Sequence, residues 1–70
     1  MNASISITVN GERREVPVGL SVAALLAHLG LAPERVAIER NLEILPRGRW
    51  QETSVQSGDR FEIVQFVGGG

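Results

Sequence analysis

Phe61-Glu62-Ile63-Val64-Gln65-Phe66-Val67-Gly68-Gly69-Gly70 is the stretch on which the reading of the whole chain turns. Its first seven residues read as a strand. Successive side chains of a strand point to opposite faces, so Phe61, Ile63, Gln65 and Val67 share one face and Glu62, Val64 and Phe66 the other. Only one other segment of the chain reads as a helix that can cover a sheet. Phe61 and Ile63 are therefore expected to point at that helix, and Val64 and Phe66 away from it, onto an open face. An apolar row on an open face is expected to be a docking surface. The competing expectation is that Phe66 folds over the irregular middle segment or pairs with Trp50.

Ser57-Gly58-Asp59, just before this strand, reads as a turn. Further back, Asn41 to Thr53 is broken by Pro46 and Gly48 and reads as irregular, with Leu42, Ile44 and Leu45 tucked onto the core. Val36 to Glu39 is a short strand with Val36 and Ile38 on one side. Leu20 to Leu31 reads as the helix. Ser21 is placed to accept an orphan amide at its start, and Leu20 and Leu25 sit where a hydrophobic staple forms. Val22, Leu25, Leu26 and Leu29 follow the i, i+3, i+4, i+7 spacing of one apolar stripe. Gly30 can take the left-handed conformation that ends a helix, and Pro33 lies just beyond. At the start, Ser4 to Val9 alternates strictly, with Ile5, Ile7 and Val9 on one face. Asn10-Gly11 is the strongest short hairpin signal, and Glu12 to Val16 returns, with Pro17 ending the pairing for want of an N–H.

The order is hairpin, helix, strand, irregular crossing, strand. One helix covers one face of a small mixed sheet, and a right-handed crossover places the last strand parallel to the first. This is an α+β class. The expected core is Ile5, Ile7, Val22, Leu25, Leu26, Leu29, Val36, Ile38, Phe61 and Ile63. Residues 1–67 are expected to form one domain and residues 68–70 a flexible glycine tail.

Composition bounds the chemistry. Seventy residues make one domain. There is no Cys, so no disulfide and no thiolate ligand, and His28 has no second imidazole to share a metal site. No bound metal or cofactor is expected. The apolar fraction of 43% is enough for a compact core. Seven basic against eight acidic residues argue against a nucleic-acid partner, which needs a basic stripe. No apolar run is long enough to span a membrane, and no signal peptide is evident at the N-terminus. The lack of Cys fits a cytoplasmic location.

Without a Cys nucleophile or a His-based triad, the chain has no evident catalytic machinery of its own. Three terminal glycines, by contrast, can enter a narrow channel in another protein. An α-carboxyl has a reference pKa of about 3.3–3.7 and is ionised at neutral pH. The bland alternative is a frayed terminus. His28 reads as a surface His near a helix C-terminus. Arg47 and Arg49 flank Gly48 and read as a solvated turn or as contacts to an acidic partner groove; Trp50 fits either the core or a partner anchor. Glu12 and Glu15 read as a solvated strand face rather than a carboxylate dyad.

Phe61 to Gly70 resembles the C-terminus of the ThiS family, the sulfur carriers of thiamine biosynthesis. The Gly58-Asp59 turn, the Asn10-Gly11 hairpin and the short helix starting near Ser21 are similar as well, and the likeness covers essentially the whole chain. Where that family often has an Asn-Gly pair in the middle segment, this chain has Asn41-Leu42. The resemblance implies a ubiquitin-like β-grasp fold, in agreement with the element order. It also implies that Gly70 is the sulfur-carrying residue, with Gly68 and Gly69 as its tail, beside the docking row of Val64 and Phe66 expected above from the alternation. An adenylating partner related to ubiquitin-activating enzymes would use ATP and Mg²⁺ to activate the Gly70 carboxylate. A sulfur donor protein would convert it to a thiocarboxylate, and thiazole synthase would take the sulfur. The chain would then be a protein co-substrate rather than an enzyme. The alternatives are the small subunit of molybdopterin synthase, another thiocarboxylate carrier such as one for cysteine synthesis, or a ubiquitin-like interaction module whose tail has no chemistry. An RNA-binding domain of the same fold is disfavoured by the acidic balance.

Overall fold

The computed structural model describes residues 3–66. Strand β1 (Ser4–Val9) and strand β2 (Glu12–Pro17) form an antiparallel hairpin. Asn10 and Gly11 join them at φ 51° and 84°, the two positive angles that a type I′ turn requires. Pairing runs one residue further than expected, with Pro17 opposite Ser4. The next N–H, that of Val18, reaches the carbonyl of Ala3 at 3.1 Å. Alternation then puts the Pro17 nitrogen on the free side of an edge strand, where no donor is needed.

Helix α1 (Val22–His28) is shorter than the expected Leu20–Leu31, because both of its ends are capped inside that range. Ser21 Oγ accepts the N–H of Ala24 at 3.0 Å. At the other end Gly30 takes φ 76°. The N–H of Leu31 bonds to Leu26 O at 2.9 Å and that of Gly30 to Ala27 O at 3.1 Å, the paired closure of a Schellman cap. Val22, Leu25 and Leu26 are fully buried, while Leu29, the C-cap residue, packs on the core from its margin.

Three further strands follow: β3 (Val36–Arg40), β4 (Glu43–Ile44) and β5 (Arg60–Gln65). They complete a five-stranded mixed sheet in the order β2-β1-β5-β3-β4. The last strand in sequence is thus central, parallel to β1 and antiparallel to β3. It spans Arg60–Gln65 rather than the expected Phe61–Val67, and Val67 lies outside the described residues. The parallel ladder itself holds only Thr8↔Arg60 and Val9↔Phe61. Asn10 extends it with its side chain: Oδ1 accepts the N–H of Ile63 at 2.7 Å and Nδ2 donates to Ile63 O at 3.1 Å.

The segment after β3 departs from the expectation in three ways. It contains β4, paired to β3 through Glu39↔Ile44 and Arg40↔Glu43. Leu42 and Ile44 do not tuck onto the core but are 88% and 79% exposed; only Leu45 packs there. The register explains Ile44, which shares the outer face with Glu39. Trp50 and Val55 instead supply core from this irregular region, and Val16 supplies it from β2. Every other expected core residue is buried except Ile5 and Leu29, which are partly buried and pack on the core from its edge.

Asp59 is the one buried charged residue among those described. Its carboxylate accepts from Arg40 Nε at 3.0 Å, Asn41 Nδ2 at 3.2 Å and the N–H of Gln56 at 2.8 Å. These bonds tie the β3–β4 turn to the turn that launches β5. In that β3–β4 turn Asn41 has φ 53° and Leu42 φ 72°. Asn suits this conformation, but a left-handed Leu costs about 1–2 kcal/mol. Changing Leu42 to Gly is expected to stabilise the free domain by roughly 0.5–1 kcal/mol after the added glycine entropy. Thermal unfolding should show this as a rise of a few degrees. A fall in Tm would mean that the exposed Leu42 side chain contributes a contact that outweighs its backbone strain.

Candidate carrier tail and docking face

Strand β5 divides its side chains as the alternation predicts. Phe61 and Ile63 are 1% and 6% exposed, under the helix, while Val64 and Phe66 are 59% and 55% exposed. Ladder bonds on both sides hold the strand, and the N–H of Phe66 still reaches Arg35 O at 2.7 Å. Phe66, the last described residue, is therefore held beside the start of β3. Gly68, Gly69 and Gly70 lie outside the described residues, as does Val67.

Phe66 does not pair with Trp50. The indole is 4% exposed on the helix side of the sheet, and its Nε1 donates to Leu45 O at 3.0 Å. Trp50 is a core residue. Arg47, although exposed, is held by the fold: its guanidinium donates to Pro33 O and, at 3.1 Å, to Val36 O, and lies 4.6 Å over the Trp50 ring. It pins the middle segment against the start of β3. Arg49 is exposed too and pairs with Glu52 at 3.2 Å.

On the outer face, Ala37, Glu39, Ile44, Glu62 and Val64 line one shallow groove, and Ile38 contributes to its floor. The sequence reading found Val64 and Phe66 there but missed Ile44, because a two-residue strand has no periodicity to read. Elsewhere, His28 is exposed on a separate groove with Glu15 and Pro17 and has no Ser or Cys nucleophile within that lining apart from Ser4, to which it is not bonded. Glu12 and Glu15 pair with Arg14 and Arg13, each at 3.5 Å on exposed positions, and form no dyad. Among the described residues no group of three or more His, Cys, Asp or Glu could hold a metal. No described helix is long and apolar enough to cross a membrane.

A hairpin, one helix across the sheet, and a last strand inserted centrally beside the first define a ubiquitin-like β-grasp domain. The family model of the ThiS family matches residues 7–70. The crystal structure of the thiamine biosynthesis protein (ThiS) of Geobacter metallireducens superposes with a TM-score of 0.79 at 40% identity, covering 94% of this chain and 100% of that one. The sulfur carrier protein ThiS of Bacillus subtilis is 42% identical over 50 residues, 71% of this chain and 76% of that protein. The chain belongs to the ThiS family of sulfur carriers. A thiazole synthase of Paramagnetospirillum magneticum is 44% identical over 66 residues, which are 94% of this chain but 20% of that protein. The chain thus spans about a fifth of the length of the first curated relatives it matches.

Proposed function

We propose that the chain carries sulfur on its Gly70 carboxylate for the assembly of the thiazole ring of thiamine. The observation that supports this best is β5: a central strand with Phe61 and Ile63 locked in the core, exposed apolar Val64 and Phe66 at the end of its outer row, and three glycines that begin two residues after Phe66 in sequence. In this reading the folded body is a handle and the terminus is the reagent. An adenylating partner binds ATP and Mg²⁺. The Gly70 carboxylate attacks the α-phosphorus and releases pyrophosphate, giving an acyl adenylate. A persulfide on a donor protein then attacks the carbonyl and expels AMP. A second thiol cleaves the acyl disulfide and leaves a thiocarboxylate, which thiazole synthase consumes. The chain supplies no general base, nucleophilic side chain or metal ligand to these steps; it acts as a co-substrate, in the cytoplasm, where ATP and thiols are available. The match to thiazole synthases favours this branch over molybdopterin synthesis.

Val64 and Phe66 dock the adenylating partner in this scheme, because they are exposed apolar side chains at the root of the tail. The test is intact mass. Incubation with the adenylating partner, ATP, Mg²⁺ and a persulfide donor should raise the mass of the chain by the difference between one sulfur and one oxygen. An unchanged mass, with a partner that adenylates another ThiS-family carrier under the same conditions, would leave the interaction-module reading in its place.

A further inference from the structure

The outer face carries a charge arrangement that the fold itself does not use. By register, Glu39 on β3 stands directly opposite Glu62 on β5. Such partners hold their Cβ atoms about 4.5–5.5 Å apart on one face, and like charges so placed destabilise the sheet. Both residues are exposed. Among the described residues, neither makes an ion pair or a side-chain hydrogen bond, which is true also of Glu34 and Glu43, whereas Glu12, Glu15, Glu52 and Asp59 each have an Arg. Two of the nearby cations are held elsewhere. Arg40 lies on the opposite face against Asp59, and Arg13 holds Ser6 and Glu15. Arg60 precedes Glu62 by two on the same row and contacts neither carboxylate. The pair flanks an apolar floor made by Ala37, Ile44 and Val64.

We propose that this groove receives an arginine or lysine side chain of the adenylating partner, seated between Glu39 and Glu62 while Ile44, Val64 and Phe66 take apolar contacts around it. The proposal rests on the docking described above and adds what the partner must present. A protein that holds ATP phosphates concentrates cationic groups around that site, and the tail has to reach the same site; an acidic face at the root of the tail is complementary to such a field. A guanidinium can satisfy both carboxylates at once and removes a repulsion that the free domain retains. Phosphate-rich partners are excluded by the sign of the charge, and a metal by the lack of a third ligand among the described residues.

The experiment measures binding of the full chain to its adenylating partner at about 50 mM and about 300 mM salt, a range over which exposed charges become screened. The double variant Glu39→Gln/Glu62→Gln should bind about tenfold more weakly at low salt, with most of the loss in association rate and a flattened salt dependence. Its Tm should hold or rise, because the repulsion is gone. Phe66→Ser is the control for the docking itself. A double variant with the parent's affinity and salt slope, beside a Phe66→Ser variant that binds poorly, would overturn the cationic contact and leave apolar docking standing. Parental affinity in both variants would overturn the docking reading together with the inference.

Discussion

A chain with one residue added after Gly70, or with Gly69 and Gly70 removed, is expected to take up no sulfur while melting within about a degree of the parent. The first part follows from chemistry. An amide carbonyl at Gly70 is not a nucleophile towards ATP, and an added residue moves the carboxylate by about 3.5 Å. The four residues after Phe66 reach at most about 14 Å, so losing two of them halves that reach. Misplacement by even 1 Å can cost a hundredfold in rate. The second part follows from composition, since glycines bring no apolar side chain to bury. Intact mass after loading and a thermal melt of the same sample check both halves. Sulfur found on the extended chain, or thiazole formation that survives the deletion, would overturn the carrier reading.

Leu26→Ala is expected to have the opposite signature, with lost stability and unchanged chemistry in whatever fraction stays folded. Leu26 is 0% exposed at the centre of the helix stripe, packed in the same cluster as Ile7, Ile38 and Phe61. Its truncation should cost about 2–5 kcal/mol. A domain of this size has only about 4–10 kcal/mol to lose. At about 4–8 °C per kcal/mol, the melting temperature should fall by roughly 10–30 °C. The backbone carbonyl of Leu26, which closes the helix through Leu31, survives the change. The loss would therefore report side-chain packing rather than the cap. A variant that melts like the parent would show that the stripe does not face the sheet.

What could be read in advance was local. Ser21, Gly30 and Asn10-Gly11 act through neighbours a few residues away, so their roles are visible in the sequence. The alternation in β5 likewise separated Phe61 and Ile63 from Val64 and Phe66 without any knowledge of the sheet. What escaped depended on distant partners. Strand β4 is defined by its bonds to β3, and Ile44 by its place opposite Glu39. Trp50 became core because the loop from Pro46 to Thr53 folds under the sheet, with Ala23 N–H on Trp50 O and Val22 N–H on Thr53 O. Arg47 found carbonyls 14 and 11 residues back along the chain. The candidate tail was legible as chemistry, through its lack of side chains, whereas the carboxylate pair on the outer face needed the register of two strands that are far apart in sequence.

The position of β5 bears on how the molecule is made. The strand follows the other four in sequence, yet it lies between β1 and β3, and the Asn10–Ile63 bonds close a span of 53 residues. Until it emerges, the hairpin and the β3–β4 pair have no common sheet, and the helix stripe has no complete surface to bury against. Folding is thus governed by non-local closure, slower than a helical chain of this size, and is completed only after translation has delivered the C-terminal strand. A nascent chain cut short before β5 cannot join the hairpin to β3 in one sheet.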